Sequence, residues 1–144
     1  MTLKNTKENA TIAMVSTQRA NGEENKIEFT TRGGFYFRDG NFYITYQEHS
    51  DIGMGDSRVI LKIGQDCVTM RRMGDFQTVM VYKKGEVTDF IYRVPFGELS
   101  FKIDTKDIKS TLGEDGGRLT FSYLLIAAGD ATQNEVSLTV RKED

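Results

Sequence analysis

The sequence predicts an all-β chain, a single antiparallel barrel of eight to ten strands in meander order. Three observations carry this. Apolar residues recur in steps of two from Thr11 to Arg141, Gly, Asn and Asp punctuate the runs at short intervals, and the chain has one proline and no long helical periodicity. Closure is expected over an open sheet, because so long a meander would twist strongly and leave two edges exposed. The interior of a barrel of about eight strands is either filled by side chains or just wide enough for a small ligand.

Residues 1–10 read as a flexible polar tail ahead of a barrel domain spanning 11–144. Thr11 to Arg19 places Ile12 and Met14 on one face, and Asn21-Gly22 supplies the positive-φ turn that reverses the chain. Lys26 to Arg38 carries Ile27 and Phe29, then Gly33-Gly34, then Phe35 and Phe37. Paired glycines inside a strand suggest a bulge or bend at a barrel corner. Asp39-Gly40 turns into Asn41 to Glu48, where Phe42, Ile44 and Tyr46 alternate with Tyr43, Thr45 and Gln47. His49 to Asp56 reads as a rim loop. Runs at Ser57–Ile63, Asp66–Met73, Thr78–Lys83 and Glu86–Val94 follow, separated by Gly64, Gly74 and Gly85. Leu99, Phe101 and Ile103 share a face of the next strand, and Asp107 to Leu112 fits either one helical turn or a continuation. Arg118 to Ala127 keeps Leu119, Phe121, Tyr123 and Leu125 in phase, and Val136, Leu138 and Val140 mark the last strand.

At 144 residues the chain suits one domain, and a domain of this size buries roughly 70% of its unfolded surface. The 19 basic and 21 acidic residues are interspersed and give a formal charge of −2. That balance offers no footprint for duplex nucleic acid or anionic lipid. Arg71-Arg72 and Lys83-Lys84 do not change this, since neighbours in a strand point to opposite faces. Cys67 is the one cysteine, so no intrachain disulfide forms, and a small buried side chain is its plain reading. No apolar run approaches the roughly 20 residues of a membrane helix, and the polar start lacks a secretory core. The expectation is a cytoplasmic protein that inserts in no membrane.

No catalytic signature stands out. Glu48, His49, Asp51 and Asp56 could approach a divalent ion, but neither their spacing nor their type matches a known loop, and no metal or cofactor is expected. Gly53-Met54-Gly55 lacks the setting of a phosphate loop. The constellation that matters comes from parity. If Phe42 and Ile44 face inward, so do Tyr46 and Glu48; Val68 and Met70 bring Arg72, Phe90 brings Tyr92, and Phe121 brings Tyr123. An interior guanidinium is too costly to leave alone, so Arg72 must meet Glu48, tyrosine hydroxyls or a bound anion. Arg72, Glu48, Tyr46, Tyr92 and Tyr123 are therefore the candidate ligand-binding residues. They fit a non-enzymatic site for a small, partly apolar, anionic molecule. They equally fit a hydrogen-bonded plug in a filled barrel whose function, as a protein interaction module, lies on its outer surface. A third reading is an enzyme with Glu48 as general base. Oligomeric state stays open.

The stretch Tyr92 to Tyr123, with Pro95-Phe96-Gly97-Glu98-Leu99, Thr105-Lys106, Gly117-Arg118-Leu119 and Tyr123, resembles the YwiB-like family of small bacterial proteins. The likeness extends upstream through Thr31, Gly33, Phe35 and Tyr36, through Tyr46-Gln47-Glu48, and through Arg72-Met73-Gly74. It covers nearly the whole chain in order. The resemblance implies a calycin-like barrel, related in shape to lipocalins, and supplies no function. The tryptophan of a true lipocalin is absent, because the chain has none.

Overall fold

The computed structural model describes residues 8–48 and 56–143. The rim-loop expectation therefore lies outside the described residues in all but its last residue, Asp56, and with it go the candidate metal ligands His49 and Asp51 and the Gly53-Met54-Gly55 motif. Most of the expected N-terminal tail lies outside them as well. Ten strands follow one another: β1 Ala10–Ala20, β2 Glu23–Arg38, β3 Asn41–Glu48, β4 Ser57–Gly64, β5 Cys67–Gly74, β6 Gln77–Lys83, β7 Val87–Val94, β8 Gly97–Ser110, β9 Gly116–Ala127 and β10 Asp130–Lys142. Each pairs antiparallel with the next, and β1 pairs with β10 to close the barrel. The turn chemistry follows the sequence. Asn21-Gly22 and Asp39-Gly40 both take positive φ at their two central residues, which suits the right-handed twist of the flanking strands.

Inward positions of the strands supply the core. Ile12, Ile44, Leu61, Val68, Ile103, Leu119 and Leu138 are fully buried. The connections β1–β2, β3–β4, β5–β6, β7–β8 and β9–β10 all emerge at one end of the meander, here termed the mouth, and the opposite end carries the terminal pairing of Ala10 with Lys142. At that opposite end Asn9 clamps the backbone of Phe35, donating to its carbonyl at 2.9 Å and accepting from its amide at 2.8 Å.

One expectation changes and one open alternative is settled. The ladder runs through Gly33-Gly34 without a register shift, so no bulge forms there. Gly33 instead pairs with Ala10 on one side and Tyr46 on the other, and a Cβ at this position would lie 2.2 Å from the Thr45 carbonyl oxygen and 2.5 Å from Cδ1 of Ile12. That close approach requires glycine at this position. The bulge lies in β8, between Thr105 and Asp107. It moves the inward phase from Ile103 and Thr105 to Ile108, and the segment from Asp107 continues as strand to Ser110 in place of a helical turn. Cys67 is half-buried at the start of β5.

Candidate functional site

Register explains how the site assembles. Tyr46 on β3 pairs with Val59, Val59 with Arg72, Arg72 with Thr78, and Thr78 with Tyr92. These inward residues form one row across five strands, in which two large polar-tipped tyrosines and an arginine alternate with the smaller Val59 and Thr78. Glu48, two residues beyond Tyr46 on the same face, lies opposite the small Ser57. Alternation of large and small side chains lets the long ones reach across roughly two strand spacings.

The guanidinium of Arg72 forms a bidentate ion pair with Glu48, Nε donating to Oε1 and Nη2 to Oε2, both at 3.0 Å. Nη1 donates to the hydroxyl of Tyr92, whose ring lies beneath it, 6.0 Å from the guanidinium carbon. The side chains of Arg72 and Glu48 are only 13% and 9% exposed. Burial alone would pull the arginine pKa down; the charge of Glu48, followed by the influence of Tyr92 and the hydrogen bonds to the carboxylate, outweighs it and holds Arg72 above its ordinary value. Burial raises the phenols of Tyr46, Tyr92 and Tyr123, with the positive charge of Arg72 opposing in each case. The tyrosines are thus neutral hydroxyls, able to donate and accept.

All five expected residues line or adjoin one chamber of about 250 Å³ at the mouth, together with Met14, Ile27, Phe29 and Tyr82. The structure brings Arg72, Glu48 and Tyr92 into direct contact and places Tyr46 beside them. Tyr123 lies further round the barrel, half-buried, its ring 4.9 Å from that of Tyr82. The hydroxyl of Tyr46 is buried and has no hydrogen-bond partner among the described residues. A buried hydroxyl left so costs about 1 to 3 kcal/mol. Arg72 keeps two of its five N–H groups uncommitted among the described residues, one on Nη1 and one on Nη2.

Tyr82 is the site residue that sequence reasoning missed. Val79-Met80-Val81-Tyr82 is apolar on both faces, so alternation alone does not say which pair faces inward. The fully buried Tyr82 and the half-exposed Val79 answer that. A larger depression of about 460 Å³ lies over Arg71, Gln77, Val79, Asp89 and Arg93, but these side chains are exposed on the outer wall. Among the described residues no group of three His, Cys, Asp or Glu side chains is arranged to hold a metal ion, and no helix is long and apolar enough to cross a membrane.

Comparison with known proteins matches residues 12–139 to a family described as a domain of unknown function, DUF1934. The chain is 30% identical over 133 residues to the uncharacterized beta-barrel protein YwiB of Bacillus subtilis (strain 168), covering 92% of each chain. Its fold is similar to the crystal structure of the ywiB protein from Bacillus subtilis over all of both chains, with a TM-score of 0.87 and 26% identity.

Proposed function

The chain belongs to the DUF1934 family, and we propose that its barrel is a non-enzymatic binding site for a small, partly apolar molecule whose polar head enters the mouth chamber among Tyr46, Arg72 and Tyr92. The observation that carries this reading is the buried hydroxyl of Tyr46, without a hydrogen-bond partner among the described residues, in a chamber also lined by Arg72. A plug serving stability alone would be expected to satisfy its own polar groups. An inserted oxygen would give the Tyr46 hydroxyl its partner.

Charge pairing narrows the head. With Glu48 bound through both oxygens, Arg72 brings no net charge to the chamber, so the anionic head that an unpaired arginine would call for is replaced by a neutral acceptor such as a hydroxyl, carbonyl or ether oxygen. The same engagement commits the Glu48 carboxylate to holding Arg72 and disfavours its use as a general base. A calycin-like carrier working in the cytoplasm is consistent with this reading.

The test is titration of the protein with octanol and with octanoate, followed by NMR chemical shifts or calorimetry, in the wild type and in Tyr46→Phe. Octanol should bind more tightly than octanoate, and Tyr46→Phe should weaken octanol by about two- to tenfold, the worth of one net hydrogen bond. Binding of neither probe, or binding indifferent to Tyr46→Phe, would overturn the reading.

A further inference from the structure

A second chamber adjoins the first. It measures about 220 Å³, and apart from Met80 and Tyr92 its lining is entirely hydrocarbon, with Phe76, Phe90, Phe101 and Leu125 among the walls. Met80 and Tyr92 line both chambers. Tyr92 is therefore a two-sided partition. Its hydroxyl accepts from Arg72 on the polar side, while its ring makes edge contacts with Phe76 at 6.1 Å, Phe90 at 6.4 Å and Phe101 at 6.5 Å on the apolar side. The other partition, Met80, is an unbranched side chain with several rotatable bonds, a type that re-packs at little cost. Phe96 in the β7–β8 turn and Leu99 near the start of β8 form the outer rim and are 81% and 43% exposed.

We infer that the apolar chamber is the tail subsite of the same ligand, which is then a neutral amphiphile with a single medium-length hydrocarbon chain. This rests on the proposed binding function and adds the location and chemistry of the tail. Two arguments carry it. Each chamber alone falls below the roughly 300 to 1,000 Å³ of typical small-molecule sites, whereas the two joined fall within it. Among the described residues the apolar chamber offers a ligand no side-chain hydrogen bond other than through Tyr92, whose hydroxyl is turned to the polar side, so only hydrocarbon or an aromatic ring gains by entering it. The head must then sit on the other side of the partition, where the Tyr46 hydroxyl and the Arg72 N–H groups are.

The experiment compares butanol, hexanol and octanol binding in the wild type, Tyr46→Phe and Leu99→Trp, the last chosen to fill the apolar chamber from its exposed rim. Affinity should rise about fourfold per added methylene in the wild type, from the burial of each in an apolar site. Leu99→Trp should flatten that gradient and leave butanol affinity unchanged. If Leu99→Trp fails to fold, pressurisation of the wild type with xenon replaces it, and xenon should shift the resonances of Phe90, Phe101 and Leu125 and compete with octanol but not with butanol. Equal affinities for butanol and octanol, with both still weakened by Tyr46→Phe, would overturn the tail subsite and leave the head site standing. A steep chain-length gradient indifferent to Tyr46→Phe would overturn the shared ligand together with the proposed function.

Discussion

Replacing Arg72 by methionine tests the polar row at its most constrained point. The substitution keeps an unbranched apolar stem and removes the guanidinium, leaving Glu48, 7% exposed, without its bidentate partner and Tyr92 without the charged donor to its hydroxyl. Breaking one side of a buried pair typically costs about 3 to 5 kcal/mol, against about 0 to 1 for an exposed one. For a domain of 144 residues, the average unfolding entropy makes each kcal/mol worth about 3 °C, so the expected loss in melting temperature is roughly 10 to 15 °C. Arg71→Met, on the exposed face of the same strand, should shift it by no more than about 3 °C. The double variant Arg72→Met/Glu48→Leu removes both charges and should recover most of the loss, since apolar replacement of a whole buried pair is often neutral or better. Urea denaturation of the four proteins completes the comparison. Equal silence of Arg72→Met and Arg71→Met, or a double variant no more stable than Arg72→Met, would refute the argument that the pair is a desolvated unit.

Three further outcomes follow from particular contacts. Gly33→Ala should destabilise by about 1 to 3 kcal/mol through overpacking against the Thr45 carbonyl and Ile12, measurable as a lower urea midpoint with an unchanged slope. Ala128 holds φ of 51° at a turn position followed by Gly129, so Ala128→Asn should stabilise by about 0.5 to 1 kcal/mol, seen as a raised melting temperature. Burial holds the phenols of Tyr46 and Tyr82 above the ordinary value of 10.0. Between the unfolded and folded pKa the unfolded chain binds fewer protons than the folded one, so stability is intact below pH 10 and falls as pH rises beyond it, by up to about 1.4 kcal/mol per pH unit for each such tyrosine. Tyr46→Phe should reduce that slope by about one tyrosine's share in denaturation curves spanning roughly pH 9 to 11, and a slope unchanged by the substitution would count against a buried Tyr46 hydroxyl.

Parity let the inward direction of the candidate residues be read in advance. In a strand the side-chain period is two, so Tyr46, Glu48, Arg72, Tyr92 and Tyr123 inherit their direction from the apolar residues in phase with them. Parity stops being informative where the apolar pattern is two-sided or where the period is broken. Tyr82 was hidden by Val79 and Val81 on the other face, and the phase of Ile108 was hidden by the bulge after Thr105. Gly33 illustrates a different limit: the sequence shows that a side chain is missing but not whether the backbone bends or a neighbour comes close.

By itself the sequence determined the fold class, the strand boundaries to within a few residues and the inward direction of five polar side chains, because these depend on local alternation and on turn residues whose φ preferences are intrinsic. Only the tertiary structure decided which of those side chains meet. That depends on the register of β3, β4 and β5, which aligns Tyr46, Val59 and Arg72 and lets Glu48 span the gap to the guanidinium. It also decided how the interior arginine is met: both oxygens of Glu48 hold the guanidinium. The division of the mouth into a polar and an apolar chamber is likewise tertiary, since it rests on Tyr92 presenting its hydroxyl to Arg72 and its ring to Phe76, Phe90 and Phe101, which come from three different places in the chain.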